Sequence, residues 1–209
     1  MAAWMLLAAV VMTACEKKAI PPRADRLSGG KLVFEESFDA STLSKAWTVT
    51  KGGDWSIVDG WAHSKSAKNK GLWLTGFKLP EAVRIEFDVR SEPRGKKRFE
   101  GDAKCEVFNT EPAHEKGYIL VNGGWNNQLD IIARLDEHGK DRKEVKSRPV
   151  EKSKVYRWAI VRTAGNILWF RDEKLFMSYD DAAPIKGRYF GFNNWEAHLY
   201  FDNLKIYEL

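Results

Sequence analysis

The chain has 209 residues, of which 44% are hydrophobic and 30% are charged, and this composition suffices for the core of one globular domain. Its 34 basic and 29 acidic residues give a formal net charge of +5, but the two signs are mostly interspersed along the chain. Because the basic residues are nearly balanced by acidic ones along the chain, we expect no nucleic-acid partner. Nine tryptophans are many for a chain of this length.

Residues 1–15 read MAAWMLLAAVVMTAC and carry no charge. An apolar stretch that ends in small residues and is too short to span a bilayer is typical of a secretory signal. The phrase MTAC resembles a bacterial lipobox, and this resemblance implies cleavage before Cys15 and acylation of its thiol and new amino terminus. We therefore predict a signal peptide over residues 1–14 and a lipoprotein of the cell envelope that faces the periplasm or the cell surface.

The lipobox resemblance departs from the usual pattern in two places. No Lys or Arg precedes the apolar stretch, and methionine is a less usual residue at its position in the box. A misassigned start codon would explain the missing charge. The alternative is a cytosolic protein with an apolar amino-terminal helix.

Residues 16–30 read EKKAIPPRADRLSGG and combine charge, Pro-Pro and Gly-Gly without an apolar period. Such a composition predicts a flexible tether. We therefore assign the lipidated cysteine and the tether to residues 15–30 and a single domain to residues 31–209. Cys105 lies in a stretch of alternating apolar residues, so we expect it to be a buried small hydrophobe, with a disulfide to Cys15 as the alternative.

From Lys31 onward, apolar residues recur at every second position, which is the period of a β-strand. The segment VRIEFDVR, residues 83–90, alternates four apolar residues with four charged ones, which places the charges on a solvated face. Turn signals separate the segments: DEHGK at 136–140, TAGN at 163–166 and RDEK at 171–174. The pattern predicts an all-β antiparallel sandwich with a short turn of helix around Thr42–Lys45.

Several of these segments resemble successive strands of the concanavalin A-like lectin/glucanase superfamily. They include LVFEESFDASTLSKAWTV, WAIVRTAGNILWFRDEKLF and GRYFGFNNWEAHLYFDNLKIYEL, and the resemblance covers about residues 31–209. It implies a jelly roll in which the first and last strands lie close together. Because the superfamily contains lectins, glycosidases, carbohydrate-binding modules and laminin G-like interaction domains, it implies a fold and leaves the activity open.

The resemblance also implies where catalytic carboxylates would lie. Family-sixteen glycosidases carry Glu, then Asp two residues on, then a second Glu four or five residues after the first, and Glu86 and Asp88 match the beginning of this pattern. Arg90 and Ser91 occupy the places of the third acid. Arg84 and Arg90 favour ionised carboxylates, whereas the general acid of a glycosidase must stay protonated. We therefore expect no catalysis here, with a glycoside hydrolase that uses Glu86 and Asp88 as the alternative.

Two stretches, GGWNNQ at 123–128 and GFNNWE at 191–196, each place a tryptophan beside an Asn-Asn pair. Aromatic rings cover the C–H face of a sugar while amides bond to its hydroxyls, but Asn pairs beside Gly are also typical of tight turns. If the stretches converge, they form one carbohydrate site; if they point apart, they are two turns. The candidate residues are Trp125, Asn126, Asn127, Asn193, Asn194 and Trp195.

In several branches of the superfamily a structural calcium joins the first and last strands, and the resemblance implies where it would bind. Asp202 in FDNLKIY matches the aspartate of the closing strand, and the backbone carbonyl of Gly60 is the second candidate ligand. The alternative is an aspartate that accepts hydrogen bonds from backbone amides at the start of a strand.

The sequence thus predicts a lipid-anchored extracytoplasmic module that binds a carbohydrate and is not catalytic. A glycoside hydrolase on the same fold, acting on an envelope or environmental polysaccharide, is one alternative. An envelope lipoprotein that binds another protein is the second. No residue pattern identifies the glycan.

Overall fold

The computed structural model describes residues 27–92 and 100–209. The predicted signal peptide, Cys15 and most of the predicted tether lie outside the described residues. Within the described part of the chain, no helix is long and apolar enough to cross a membrane.

Fifteen strands follow one another along the described chain, interrupted by a single helical turn at Gly124–Asn127. Their bounds are β1 Lys31–Glu36, β2 Trp47–Val49, β3 Ser56–Val58, β4 Trp61–Ser64, β5 Leu72–Leu74, β6 Val83–Glu92, β7 Ala103–Asn109, β8 Tyr118–Gly123, β9 Leu129–Arg134, β10 Lys143–Lys146, β11 Tyr156–Thr163, β12 Asn166–Arg171, β13 Lys174–Asp180, β14 Tyr189–Asn193 and β15 His198–Glu208.

The strands form two antiparallel sheets packed as a sandwich, which confirms the predicted fold class. The first sheet has the order β13-β12-β11-β6-β15-β4-β3, with β1 also paired to β15, and the second has the order β10-β9-β8-β7-β14-β5-β2. Lys31 pairs with Glu208, so the first and last strands lie side by side as the resemblance implies.

The core between the sheets follows from the two-residue period. Val83, Ile85, Phe87 and Val89 of β6 are at most 1% exposed, while the acidic residues between them face outward and are partly exposed. Rings from the two sheets meet in the middle, where the centroid of Phe192 lies 4.2 Å from that of Phe201. Burial of such a ring stabilises the fold by about 1.5–3 kcal/mol.

Two local predictions are wrong. Arg84 is 4% exposed although the strand pattern placed it on a solvated face, because Nη1 donates to the carbonyls of Ser28 and Gly29 and the guanidinium packs on the Tyr207 ring. The predicted helix around Thr42–Lys45 is a bend and a turn.

The carboxylate of Glu36 holds the segment before β2 in place. It accepts hydrogen bonds from Phe38 N, from Ser44 Oγ and from Trp47 Nε1. These donors are thereby committed to one carboxylate, and the segment is held against β1 as a loop.

The predicted hairpins and the predicted burial of Cys105 are confirmed. β11 and β12 reverse at Ala164, with φ 55°, and β12 and β13 reverse at Asp172 and Glu173, with φ 50° and 61°. Cys105 is free and fully buried. Burial, with a smaller contribution from the charge of Glu106, raises the pKa of its thiol, which fits a packing role.

Candidate functional site

A cavity of about 400 Å³ opens on the outer face of the second sheet, the face turned away from the core. Five segments surround it: the loop between β4 and β5, the start of β7, the turn after β8, the loop between β9 and β10, and the loop between β14 and β15. Its lining residues are Asn69, Gly101, Asp102, Lys104, Gly123, Trp125, Asn126, Asn127, Glu137, His138, Trp195, Glu196 and Ala197.

The structure brings both tryptophan and Asn-Asn stretches to this place. Trp125, Asn126, Asn127 and Trp195 line the cavity. Asn193 and Asn194 are fully buried beside it. Four of the six predicted residues therefore share one cavity, and the other two lie behind its wall.

The stretch GGWNNQ forms a left-handed turn. Trp125, Asn126 and Asn127 have φ values of 51°, 60° and 65°, and Gln128 N donates to Gly124 O at 2.9 Å. Each non-glycine residue in this conformation costs about 1–2 kcal/mol, and asparagine tolerates it best. The Asn-Asn pair is thus a turn signal and, at the same time, part of a cavity wall.

Asn127 fixes the left-handed turn to a neighbouring loop. Its Nδ2 donates to the carbonyl of Val150 at 2.9 Å, and its Oδ1 accepts from Val150 N at 2.9 Å. This side chain is engaged on both polar atoms, whereas Asn126 is exposed at the cavity.

The ring of Trp125 is fixed from several sides. It packs against a cluster of aliphatic side chains on the outer face of β8 and β9. The guanidinium carbon of Arg142 lies 4.8 Å from its centroid, and the ring of His138 meets it edge-on at 5.6 Å. The cluster consists of Ile119, Val121, Ile131 and Ala133, with Leu129 at its margin.

The amides of the second stretch hold the loop that carries Trp195. Asn194 Oδ1 accepts from Ala67 N at 2.7 Å, and its Nδ2 donates to Ala197 O at 2.9 Å. Asn193 Nδ2 donates to Glu106 Oε1 at 2.7 Å. The contacts of both amides are therefore internal, and they fix the loop that presents the neighbouring tryptophan.

Trp195 is half exposed at the cavity, with 50% of its surface accessible. Its backbone N donates to a carboxylate oxygen of Asp102, and its carbonyl accepts from Lys68 N at 2.9 Å. A large aromatic side chain that is exposed on a fixed backbone is typical of a binding surface.

A buried ion pair forms the floor of the cavity. Lys104 is fully buried, and its Nζ lies 2.8 Å from Glu137 Oε2, 2.9 Å from Asn69 Oδ1 and 4.0 Å from Asp102 Oδ1. Burial alone would lower the lysine pKa, but the charges of Asp102 and Glu137 outweigh it and raise the pKa. Burial raises the pKa of Asp102, and Lys104 offsets part of this rise.

A second buried acid lies next to this ion pair on β7. Glu106 is fully buried; its Oε1 lies 2.7 Å from His114 Nδ1, and its Oε2 accepts from Asn109 Nδ2 and Glu115 N. His114 Nε2 lies 3.7 Å from Glu137 Oε2, so the two acids are linked through one imidazole. Burial alone would lower the pKa of His114, but the hydrogen bond and charge of Glu106 outweigh it and raise the pKa.

Four lining residues are not predicted from the sequence: Asp102, Lys104, Glu137 and His138. Lys104 alternates with apolar neighbours in AKCEV, which indicates a strand with one polar face and does not reveal that loops cover this face. Glu137 and His138 stand in a turn signal that gives no hint of long-range contacts. Buried charges on a strand could have been found only from the order of the strands.

Glu86 and Asp88 lie on the first sheet and do not line the cavity. Arg157 donates to both, with Nη2 at 3.1 Å from Glu86 Oε2 and Nη1 at 3.1 Å from Asp88 Oδ1. Arg84 Nε adds a contact to Glu86 at 2.6 Å, and Asn203 Nδ2 donates to Asp88 at 2.9 Å. Arginine side chains therefore balance the charges of both carboxylates on a partly exposed strand face.

Asp202 lies on β15, and Gly60 forms the turn between β3 and β4 with φ 76°. Asp202 Oδ1 accepts from Asn203 N at 2.7 Å; burial raises the pKa of its carboxyl, and the charges of Asp88 and Asp39 add to the rise. Among the described residues, no three His, Cys, Asp or Glu side chains are placed to hold a metal ion together. Calcium bound partly by backbone carbonyls stays a prediction.

Solved structures of low sequence identity share this fold. A carbohydrate binding module, CBM66 of Bacillus subtilis, is 17% identical with a TM-score of 0.61 over 78% of this chain and 96% of that chain. A laminarinase of Flavobacterium sp. UMI-01 is 14% identical with a TM-score of 0.60 over 85% and 100% of the two chains. These likenesses confirm the concanavalin A-like jelly roll.

A third structure comes from work on endo-acting O-glycanases with which members of the human gut microbiota initiate mucin breakdown. It is 14% identical with a TM-score of 0.64 and covers 86% of this chain and 100% of that chain. A search of curated protein sequences finds no match.

A family model described as farnesoic acid 0-methyl transferase matches residues 61–205. The matched segment runs from β4 into β15 and contains every residue of the cavity. Because this segment is more than half of the chain, the protein belongs to the family that carries this description.

Proposed function

We propose that the protein is a non-catalytic glycan-binding module and that the cavity between Trp125 and Trp195 holds the sugar. The observation that carries the proposal is the convergence of these two tryptophans, distant in sequence, on one cavity of about 400 Å³. That volume lies in the range of small-ligand sites, about 300–1,000 Å³. Carbohydrate-binding proteins among the solved structures of the same fold support the proposal.

The chemistry of the lining suits hydroxyl groups. Asp102 and Glu137 carry acceptor oxygens, and Asn126 carries both a donor and an acceptor. The half-exposed ring of Trp195 supplies a face for the C–H side of a sugar ring, and the Trp125 ring, which the aliphatic cluster and Arg142 cover in part, adds apolar area to the wall. A rigid, half-apolar and half-polar cavity of this kind matches the two-sided surface of a pyranose.

The family description names a methyl transfer to farnesoic acid, and the cavity lining does not fit that substrate. Farnesoic acid is a carboxylate with a long apolar tail, whereas the lining carries the acids Asp102, Glu137 and Glu196, and its apolar surface comes from separate tryptophans and is not a continuous apolar channel. Like charges placed close together are unfavourable, and a long apolar chain requires an apolar channel. The cavity is therefore unsuited to bind farnesoic acid for methyl transfer.

Glycoside hydrolysis is the second candidate function, because glucanases share the fold. A hydrolase that used this cavity would rely on residues other than Glu86 and Asp88. Glu86 and Asp88 are held by arginines outside the cavity, whereas Asp102 and Glu137 line it and each approach Lys104 Nζ, at 4.0 and 2.8 Å. A hydrolase would therefore depend on cavity acids, and Glu86→Gln would leave its rate unchanged.

We extend the proposal to the location of the protein. The lipobox-like MTAC supports a lipid anchor at Cys15 and a position in the bacterial envelope, where a glycan or an envelope protein is within reach. Replacing Cys15 by serine should move the protein from the membrane fraction to the soluble fraction. An unchanged distribution would contradict the anchor.

The experiment that tests the proposal is a glycan-array screen of the chain from residue 15 onward with Cys15→Ser, with and without calcium. Any glycan that binds is then incubated with the protein and its products are analysed. Binding without cleavage supports the module, and cleavage supports the hydrolase. No binding across the array would contradict glycan recognition and favour a protein partner.

A further inference from the structure

A second cavity, of about 500 Å³, adjoins the first and plays no part in the function proposed above. It lies along the edge strand β10, and Asn127 lines both cavities. The left-handed turn Gly124–Asn127 is therefore a wall between two adjacent spaces, with one cavity on each side.

The two cavities open on the same face of the second sheet. Directly paired residues of antiparallel strands point to the same side, and Glu144 pairs with Ile131 while Lys146 pairs with Leu129. Ile131 and Leu129 belong to the cluster on which Trp125 packs. The side chains of Glu144 and Lys146 thus continue the surface that begins at the tryptophan.

Arg142 connects the cavities on that surface. Its guanidinium lies 4.8 Å from the Trp125 ring and its Nη2 lies 2.7 Å from Glu144 Oε2. An aromatic ring, a guanidinium and a carboxylate thus follow one another from the first cavity toward the second, and Lys146 stands two residues beyond Glu144 on the same face of β10. Such a row can accept and donate hydrogen bonds along an extended ligand.

The lining of the second cavity, like that of the first, combines apolar side chains with hydrogen-bonding side chains. Leu129 and Pro149 supply apolar area, and Gln128, Glu144 and Lys146 supply donors and acceptors at its margin. Val145 also borders the cavity, but it pairs with Asp130 and therefore points to the other side of β10. All four residues of β10 are exposed, and β10 ends the sheet, so a ligand would find this strand uncovered within the described chain.

We propose that the ligand is a chain of several sugars that crosses the left-handed turn, with one part between Trp125 and Trp195 and the next part against β10. This inference rests on the proposed function and adds a second subsite to it. It predicts recognition of an internal stretch of a polysaccharide, and a monosaccharide or disaccharide would fill the first cavity alone.

The experiment is isothermal titration calorimetry with a size series, from disaccharide to about octasaccharide, of each glycan class retained on the array. Affinity should rise at least tenfold with length and then level off once both cavities are filled, because each additional charged hydrogen bond contributes about a factor of ten or more. Length-independent affinity would overturn the second subsite.

Variants separate the two cavities. Lys146→Ala and Gln128→Ala should weaken binding of the longest oligosaccharide about tenfold and leave the disaccharide unchanged. Lys174→Ala is the matched control, because Lys174 is an exposed lysine on β13, the edge strand of the other sheet. An equal loss for short and long ligands, or no loss for either, would contradict the inference.

The outcomes distinguish the inference from the proposed function. Glycan binding that depends on Trp195 but not on length or on Lys146 would leave the proposed function standing and overturn the second subsite. No binding of any glycan would overturn both.

Discussion

The ammonium of Lys104 lies 2.8 Å from a carboxylate oxygen of Glu137 beneath the cavity, and the lysine side chain is fully buried. The two residues come from β7 and from the loop after β9. Their ion pair therefore ties that loop to the outer face of the second sheet.

Removing one partner of this pair should be strongly destabilising. Lys104→Met leaves Glu137 and Asp102 without their counter-charge, and breaking a buried pair in this way costs about 3–5 kcal/mol. The free energy of unfolding is measured by urea denaturation. Glu137→Gln combined with Lys104→Met should recover part of the loss, and a single-variant loss below about 1 kcal/mol would show that the pair is not buried as described.

The imidazole of His114 should make stability depend on pH. Its pKa is raised above 6.5 in the folded state, because Glu106 outweighs the effect of burial, with Glu137 adding to the rise and Lys104 opposing it. The protonated imidazole therefore stabilises the fold fully below about pH 6.5, and this contribution is lost as the pH rises through the folded pKa.

The raised pKa of Asp102 also makes stability fall with rising pH, but at lower pH values. Folding disfavours the ionised form of this carboxyl, so its contribution to the free energy of unfolding decreases as the pH rises from 3.8. Urea denaturation between about pH 5.5 and 8.5 measures the upper part of this profile. His114→Gln should flatten it, and an identical slope in parent and variant would assign the dependence to other groups.

The left-handed turn makes a prediction at Asn126, which is exposed and has φ 60°. Asn126→Val should lower the free energy of unfolding by about 1–2 kcal/mol because a β-branched residue is strained there, while Asn126→Gly should be nearly neutral. Gln128→Val is the matched control, since Gln128 is exposed with φ −103°. Equal effects at both positions would contradict the left-handed conformation.

The calcium prediction is tested by thermal unfolding. If Asp202 and the Gly60 carbonyl bind calcium, a concentration about 100 times Kd stabilises the fold by about 2.7 kcal/mol and raises Tm by several degrees. The bound cation would also offset the repulsion that Asp202 experiences from Asp88 and Asp39. Asp202→Asn should abolish the shift, and a Tm that calcium leaves unchanged would remove this site from the account.

The sandwich could be predicted from the sequence because its evidence is local. Alternation in segments such as residues 83–90 and turn signals at 163–166 and 171–174 determine strands and reversals within a few residues. The loop around Thr42–Lys45 could not be predicted in the same way, because its conformation depends on the carboxylate of Glu36 in another element.

The site could be predicted only in part for the same reason. GGWNNQ and GFNNWE are visible in the sequence, but their convergence depends on the order β9-β8-β7-β14, which brings the ends of distant strands together. The sequence predicts a binding role for the amides of Asn193 and Asn194, whereas in the structure both amides make internal contacts. The burial of Lys104 could not be predicted, because the sequence pattern around a buried lysine on a strand is the same as that around an exposed one.

Glycan binding between Trp125 and Trp195 is tested by calorimetric titration of an array-identified glycan into the parent protein and into its Trp195→Ala and Trp61→Ala variants. Trp195 lines the cavity, whereas Trp61 is a partly buried tryptophan on the first sheet beside Arg90. We expect at least tenfold weaker binding for Trp195→Ala, because aromatic stacking is lost, and unchanged binding for Trp61→Ala. Unchanged affinity in a folded Trp195→Ala variant would contradict the assignment of this cavity as the glycan site.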